Sequence, residues 1–225
     1  MRCALLISHA NPVVSIVDYG LGNILSVQRA LEAVGATAVV ADDASALVPR
    51  APVVIPGVGS FAEAMQRLHQ RGFPEAIVNL ASEGVPVLGI CLGMQLLLSY
   101  GEEGGGSAGL SLIPGRVIEL PRVSQNALNL RLPSVGWRRV VADNGRSATS
   151  LRRALPASDE FYFVHSFEAM PDDRAVVCGE YQRGGVEVVA AVGVDRVWGV
   201  QFHPEKSGDA GLRFLRCFVE VSQAL

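Results

Sequence analysis

Short β-branched runs alternate with longer segments of helical periodicity in the first half of the chain. The run from Val13 to Val17 predicts a buried strand, and apolar residues then follow at helical spacing from Asn23 to Val34. Gly35 stands where such a helix would end. Ser60 and Glu63 have the spacing of a capping box at the start of a second helix. The remaining elements predicted here are strands at 37–40, 52–55 and 85–89 and helices at 60–69, 73–83 and 91–98.

The second half of the chain is richer in strands. Strand-like runs occur at 117–120, 138–141, 161–164, 175–178, 186–192 and 197–202, and an amphipathic helix is predicted at 209–221. Strands that alternate with helices indicate an α/β domain around a largely parallel sheet, and the later runs indicate added antiparallel strands. The glycine-rich segment 101–109 lacks the Lys-Ser/Thr of a phosphate loop, so we interpret it as a flexible surface loop.

The composition of the chain excludes several classes of protein. Its 225 residues suit one large domain with a sizeable core. Apolar residues make up 49% and charged residues 18% of the chain, which excludes intrinsic disorder. The net charge of −3 gives no reason to expect nucleic acid or an anionic membrane as a partner. No apolar run reaches the ~18–20 residues that a membrane-spanning helix needs.

The 4 cysteines are scattered without the spacing of a zinc site or a disulfide framework. We therefore expect no structural metal and a reducing, cytoplasmic setting. The residues before Val13 contain an apolar stretch that is too short for a signal peptide. We interpret residues 1–12 as a leader, either a tag or a misassigned start, and residues 13–225 as a single domain.

The strongest local signal for chemistry is the run GICLG at 89–93, between a predicted strand and a predicted helix. It has the pattern of a nucleophile elbow with cysteine in place of serine. A sharp strand-to-helix turn strains the nucleophile, and glycines on both sides make room for it. The sulfur of Cys91 then lies at a helix N-terminus that stabilises a thiolate, and the Leu92 N–H is positioned to hold an oxyanion. The alternative is a buried structural cysteine, an interpretation that we give to Cys3, Cys178 and Cys217.

A cysteine nucleophile needs a base, and the base needs a group that orients it. His203 follows a predicted strand and stands in the run QFHPE. Pro204 stiffens the link between His203 and Glu205, so the carboxylate can turn back onto the imidazole. Cys91, His203 and Glu205 then form a triad at the C-terminal end of a parallel sheet, where ligands bind in open α/β folds. A chance His-Pro-Glu turn is the alternative.

These motifs resemble those of the class I glutamine amidotransferases. The matching segments are 56–60 (PGVGS), 89–95 (GICLGMQ) and 203–205 (HPE). Within that family, further segments are similar to the HisH-type glutaminase subunits of imidazole glycerol phosphate synthase: 18–23 (DYGLGN), 112–117 (LIPGRV), 162–167 (YFVHSF) and 201–207 (QFHPEKS). The resemblance runs from Val13 to Val221. It implies an open, mostly parallel, flavodoxin-like sheet flanked by helices, with antiparallel strands added in the second half.

The resemblance implies hydrolysis of L-glutamine to L-glutamate and ammonia without a metal or an organic cofactor. Cys91 would attack the side-chain amide, His203 would transfer the protons and Glu205 would orient His203. The oxyanion hole would use Gly57, Val58 and Leu92. The family positions that contact glutamine match the following residues here: Gln95, Glu103, His165, Ser166 and Phe167. For His165, a structural histidine at a strand end is an equal alternative.

The resemblance also implies a partner, a TIM-barrel cyclase that uses the ammonia to make imidazole glycerol phosphate and AICAR in histidine biosynthesis. We expect Asn23 and Lys206 at the mouth that faces this partner. Lys206 is the only lysine among 19 basic residues, although an ordinary solvated lysine is the alternative. In the family, partner and nucleotide binding are thought to reorient the Gly57–Val58 peptide. Residues 133–138 read PSVGWR where the family typically has PHMGWN, so Ser134 and Arg138 depart from it near the partner surface.

Other functions fit parts of the sequence. The same chemistry could feed another synthase, such as those for pyridoxal phosphate or anthranilate, but the segment 18–23 and Lys206 argue against this. A non-catalytic regulatory subunit is disfavoured by the intact triad residues. A cysteine hydrolase or a redox chaperone on a similar core would leave Gln95 and the segment 56–59 unexplained.

Overall fold

The computed structural model describes residues 11–124, 126, 129–142, 150–156 and 159–223. Most of the expected leader, with Cys3 and His9, lies outside these residues. The helices are α1 (Ile24–Ala33), α2 (Phe61–Gln70), α3 (Phe73–Ser82), α4 (Leu92–Leu96) and α5 (Gly208–Gln223). The strands of the first half are β1 (Val13–Val17), β2 (Thr37–Ala41), β3 (Val53–Gly57), β4 (Val87–Cys91), β5 (Leu98–Gly101) and β6 (Ser107–Ala108). Those of the second half are β7 (Ile113–Glu119), β8 (Ser134–Arg139), β9 (Val141–Ala142), β10 (Glu160–His165), β11 (Phe167–Pro171), β12 (Val177–Arg183), β13 (Val186–Val194) and β14 (Val197–Val200).

One large mixed sheet organises the fold. Its 8 strands have the order β2-β1-β3-β4-β14-β13-β12-β9. The pairs from β2 through β14 are parallel, whereas β13, β12 and β9 continue the sheet antiparallel. This arrangement confirms the predicted α/β fold with a parallel first part and antiparallel strands from the second half. The strands β4 and β14 are neighbours, so their C-terminal ends bring Cys91 and the QFHPE segment to one edge of the sheet.

Helices cover both faces of the large sheet. In β1, Val14 and Ile16 belong to one apolar cluster and Val17 to the other, because successive side chains of a strand point to opposite faces. The first cluster includes the buried side chains of α1 and α5, and the second includes those of α2 and α3. The helix α1 ends as predicted, since Gly35 follows it with a φ of 91° that favours glycine. No helix among the described residues is long and apolar enough to cross a membrane.

Smaller sheets pack beside the large one and correct two predictions. The helix after Cys91 ends at Leu96 rather than Leu98, and β5 begins directly after it. The glycine-rich segment is partly strand, because β6 folds back antiparallel onto β5. Only glycine fits at position 109, because a Cβ there would lie 2.1 Å from the Leu98 carbonyl oxygen. The segment 101–109 is therefore a surface segment with more regular structure than the predicted loop, since it includes the end of β5, a 3₁₀ turn at Glu103–Gly105 and β6. The other strands of these sheets pair antiparallel, β8 with β10 and β7 with β11.

Candidate active site

Cys91 lies at the sharp turn between β4 and α4. Its φ of 56° and ψ of −109° are strained for a residue with a side chain, as the elbow pattern predicts. The neighbouring glycines have no space for a side chain. A Cβ at Gly93 would lie 1.7 Å from the Ile55 carbonyl oxygen, and one at Gly89 would lie 2.5 Å from that of Gly93. Close packing of α4 against β3 and β4 therefore requires glycine at both positions.

The sulfur of Cys91 is surrounded by polar groups from distant parts of the chain. Cys91 as a whole is only 6% exposed. The Sγ atom lies 3.8 Å from the Val164 carbonyl oxygen and 3.6 Å from Nε2 of Gln201. Gln201 is itself fully buried. We did not assign Gln201 to the site from the sequence, although its place in the QFHPE run was the available signal.

His203 and Glu205 form a buried pair beside this sulfur. The His203 Nδ1 lies 2.8 Å from the Glu205 Oε1, and the two side chains are only 3% and 1% exposed. An ionised carboxylate can only accept, so Nδ1 carries a proton and donates it, which leaves Nε2 directed elsewhere. That Nε2 is buried and has no hydrogen-bond partner among the described residues. The backbone holds the turn in place, because the His203 N–H donates to the Tyr162 carbonyl oxygen at 2.9 Å.

The groups around His203 shift the pKa of its imidazole. Burial disfavours the charged imidazolium, but the Cys91 sulfur and the Glu205 carboxylate outweigh it and raise the pKa of His203 to about 10. The sulfur is thus close enough to interact with the ring, although Nε2 makes no hydrogen bond of good geometry. The imidazole can accept a proton from the thiol and hold it in this environment.

A cavity of about 270 Å³ opens beside Cys91. The expected substrate-binding residues that line it are Gln95, Glu103, His165, Ser166 and Phe167. From the expected oxyanion hole, Val58 and Leu92 also line it. Gly57, the third expected oxyanion residue, is buried and paired in register with Cys91, and it does not line this cavity. Gly59, Pro133 and Val164 complete the wall and were missed by the sequence prediction.

Gln95 has a fixed orientation in the wall of this cavity. Its Nε2 donates to the Phe167 carbonyl oxygen at 3.1 Å and to the Gln201 Oε1 at 3.0 Å. Both bonds use the amide nitrogen, so the side-chain oxygen is left as the acceptor. A chain of amides thus runs from Gln95 through Gln201 to the sulfur of Cys91.

Glu103 has a structural role as well as a place in the cavity. Its Oε2 accepts a hydrogen bond from the Phe61 N–H at 2.7 Å, at the start of α2. The predicted capping box was wrong, because the Ser60 side chain makes no capping bond and Glu63 instead pairs with Arg67. A carboxylate at a helix N-terminus satisfies an unpaired N–H group and interacts favourably with the helix dipole.

His165 connects the cavity wall to the second half of the fold. Its Nδ1 lies 2.8 Å from the Phe167 carbonyl oxygen, which can only accept, so Nδ1 carries the proton. Its Nε2 then accepts from the Tyr181 hydroxyl, also at 2.8 Å. Burial lowers the pKa of His165 to about 4, so the ring is neutral at neutral pH. These bonds hold the turn from β10 to β11, which forms part of the cavity wall.

The residues expected to face a partner lie on the surface near the triad. Lys206 is exposed in the turn that carries Glu205, and no ion pair of the described residues involves it. Asn23 precedes α1, and its side chain makes no capping bond. The helix α1 packs against the turn at Pro204–Lys206, so Asn23 and Lys206 belong to one region of the surface.

Within the part of the chain that the structure describes, no group of three or more His, Cys, Asp and Glu side chains is placed to hold a metal ion.

Comparison with known proteins agrees with this geometry. Residues 15–221 match the family profile of glutamine amidotransferase class-I. The imidazole glycerol phosphate synthase subunit HisH of Moorella thermoacetica is 43% identical over 208 residues, which are 92% of this chain and 94% of that protein. The subunit HisH of Geobacter sulfurreducens is 41% identical over 215 residues, covering 92% of this chain and 98% of that protein.

The fold also has relatives among solved structures. The structure of PurLQS from Thermotoga maritima superposes with a TM-score of 0.70 at 19% identity, covering 94% of this chain and 99% of the other. A crystal structure of a glutamine amidotransferase gives the same TM-score of 0.70 at 18% identity, covering 93% and 98%. The elbow at Cys91, the His203–Glu205 pair and the family match lead to one conclusion: this chain belongs to the class-I glutamine amidotransferase family.

Proposed function

We propose that this protein is the glutaminase subunit of an imidazole glycerol phosphate synthase. It hydrolyses L-glutamine to L-glutamate and ammonia and passes the ammonia to a cyclase subunit. The observation that carries the proposal is the strained Cys91 beside a buried His203–Glu205 pair at 2.8 Å, at the wall of one cavity. The nearly full-length similarity to proteins named HisH supports this member of the family over other synthases.

In the first half of the reaction, the substrate acylates Cys91. The thiol gives its proton to His203 Nε2, and the sulfur attacks the side-chain amide carbon of glutamine. The carbonyl oxygen becomes an oxyanion, which the N–H groups of Leu92 and Val58 stabilise. The tetrahedral intermediate then collapses, His203 returns the proton to the leaving nitrogen, and ammonia departs. Glu205 stabilises the imidazolium that forms on the way.

In the second half, water releases the product. His203 removes a proton from water, and the resulting hydroxide attacks the γ-glutamyl thioester. The intermediate expels the Cys91 sulfur, which recovers its proton from His203, and L-glutamate leaves. One imidazole transfers the protons of both displacement steps, and the product carboxylic acid loses its remaining proton to solvent, so the reaction needs no metal or organic cofactor.

The cavity residues supply contacts that suit a free amino acid. The side-chain oxygen of Gln95 is oriented as an acceptor, because its nitrogen already makes two hydrogen bonds. Glu103 uses Oε2 to cap α2, which leaves Oε1 for the α-ammonium group. The segment 165–167, held by His165, offers backbone groups along the substrate.

The partner in this proposal is a TIM-barrel cyclase in a cytoplasmic heterodimer. It contacts the surface around Asn23 and Lys206, near the turn that carries Glu205. Free ammonia would be lost to solvent, so a joined pair of subunits is needed to deliver it. The side chain of Trp137 is exposed. It lies next to Arg138, in the segment 133–138 that departs from the family pattern.

The test is glutamine-dependent synthesis in a reconstituted pair. The protein, a candidate cyclase and its ribonucleotide substrate are mixed, and glutamate and imidazole glycerol phosphate are measured. Cys91→Ala should abolish both products from glutamine, while added ammonium chloride should restore imidazole glycerol phosphate and partner binding should persist. Cys217→Ala is the matched control, since Cys217 lies on α5 away from the cavity.

Particular outcomes would contradict the proposal. Glutamate formation by Cys91→Ala would show that another group attacks the amide. Rapid ammonia release by the parent protein without the cyclase would favour a glutaminase that serves a different synthase.

A further inference from the structure

Tyr19 carries a buried hydroxyl that the proposed mechanism does not use. Its side chain is fully buried after β1. The hydroxyl oxygen is inaccessible to solvent and has no hydrogen-bond partner among the described residues. Leaving a buried donor without an acceptor lowers the stability of the fold by about 1–3 kcal/mol. Such groups are therefore rare in native structures, and a functional role is one explanation for them.

The hydroxyl lies directly against Gly57. A Cβ at Gly57 would lie 2.1 Å from the Tyr19 oxygen, 3.1 Å from the Leu92 Cβ and 3.4 Å from the Gly93 nitrogen. The Tyr19 hydroxyl and the first turn of α4 therefore meet on the same side of Gly57. Val58 and Leu92 line the substrate cavity, whereas Tyr19 lines a separate pocket with Arg67 and Arg71, so Tyr19 approaches Gly57 from outside the substrate cavity.

Hydrogen bonds fix the loop on both sides of Tyr19. The Asp18 carbonyl oxygen accepts a hydrogen bond from Arg71 at 2.5 Å, and the Asp18 carboxylate accepts one from the Gly20 N–H at 2.8 Å. Gly22, from the same loop, packs on the backbone of Gly57, with its Cβ position 3.6 Å from the Gly57 Cα. The loop after β1 therefore contacts Gly57 through both Tyr19 and Gly22.

The hydroxyl also keeps its proton. Burial first, then the nearby Cys91 and Asp18, raise the pKa of Tyr19 well above its ordinary value. Tyr19 is therefore a neutral donor throughout the pH range in which the protein would act. Neither the Leu92 Cβ nor the Gly93 N–H can accept its hydrogen bond, but the Gly57 carbonyl oxygen can.

We propose that Tyr19 is a positioning residue for the oxyanion hole: its hydroxyl donates to the Gly57 carbonyl oxygen when the Gly57–Val58 peptide turns the Val58 N–H toward Cys91. In a trans peptide the N–H and C=O groups point in opposite directions. Turning the Val58 N–H into the cavity therefore turns the Gly57 carbonyl toward the region behind it, where Tyr19 lies. Gly57 permits the rotation because it has no side chain. The inference rests on the proposed glutaminase function.

The test is Tyr19→Phe, which removes only the hydroxyl. In the complex with cyclase and its ribonucleotide, kcat for glutamine hydrolysis should fall about tenfold, the worth of one hydrogen bond, with KM nearly unchanged. The thermal unfolding midpoint should stay the same or rise, because the resting fold loses an unsatisfied donor. Alkylation of Cys91 by iodoacetamide should keep its rate, since that displacement forms no oxyanion.

This combination separates positioning from a structural role. A hydroxyl that merely supports the fold would lower the unfolding midpoint when removed, and failure of Tyr19→Phe to fold would overturn the inference in the same way. Parent-level kcat in Tyr19→Phe would overturn it as well. Tyr100→Phe, at a half-exposed tyrosine, is the matched control and should leave kcat unchanged. If the parent complex itself released no glutamate, the proposed function would fail, which is a separate result.

Discussion

Replacing Glu205 with glutamine removes the carboxylate that holds His203 while nearly keeping the side-chain shape. The two groups are 2.8 Å apart, and their side chains are 3% and 1% exposed, so solvent screens the pair only weakly. An opposite charge at this range shifts a pKa by about 1–3 units. At ~1.4 kcal/mol per unit, the imidazolium would lose about 1.4–4 kcal/mol of stabilisation.

After Cys91 is acylated, the ring must be neutral to take a proton from water, so the transition state of thioester hydrolysis gains the imidazolium charge and loses the same amount. Glutamate release by the cyclase complex at saturating glutamine should therefore slow about 10- to 1000-fold in Glu205→Gln. The enzyme should stay measurably active, because Cys91 and His203 remain. The KM for glutamine should change little, since Glu205 does not line the cavity.

The same variant should change how stability depends on pH. The folded pKa of His203, about 10, lies above its ordinary value of 6.5. The proton on His203 therefore stabilises the fold fully below pH 6.5, and this contribution is lost as pH rises through about 10. In Glu205→Gln the loss should be smaller and should be complete at a lower pH. Urea unfolding over this range measures it.

A matched control and two outcomes make this prediction decisive. Glu180→Gln removes a carboxylate that pairs with Arg174 at 2.6 Å outside the site, and it should leave turnover unchanged. Parent-level turnover in Glu205→Gln would refute the reasoning. A slower variant that kept the parent's pH dependence of stability would refute it too, because the effect would not come from His203.

Two further predictions concern buried groups around the site. Burial raises the pKa of Glu168 to about 7, above its ordinary 4.5, so the folded state favours the neutral acid and parent stability falls as pH rises between these values. The free energy of unfolding of Glu168→Gln, measured with urea, should equal that of the parent near pH 4 and exceed it by about 1–3 kcal/mol near pH 8. A variant less stable than the parent near pH 8 would contradict this. Tyr181→Phe leaves Nε2 of His165 without its donor and loosens the segment 165–167. It should raise the KM for glutamine about fivefold to tenfold with kcat little changed, and an unchanged KM in steady-state assays would contradict the assigned role.

Local chemistry explains why some features could be predicted from the sequence. The elbow at 89–93 depends on a strained residue and on glycines within a few positions of it. His203 and Glu205 are two residues apart, so their pairing needs only a turn, which Pro204 favours. Alternation of β-branched runs with helical periodicity likewise indicates a parallel sheet, because each strand and helix must bury its own apolar face.

Features that join distant segments could not be predicted in this way. The α2 N-terminus is capped by Glu103, 42 residues away, rather than by Ser60 and Glu63 nearby. The short β6 exists because β5 offers it an edge, although its own two residues are Ser107 and Ala108 and glycines stand on both sides of it.

The sequence by itself determined the α/β class, the strained position of Cys91 and the pairing of His203 with Glu205, because each depends on neighbours along the chain. Only the tertiary structure decided that Gln201 contacts the Cys91 sulfur, 110 residues away, and that the Tyr19 hydroxyl lies against Gly57. Such contacts depend on which strands become neighbours and how closely a loop packs behind them. No local pattern of residues carries that information.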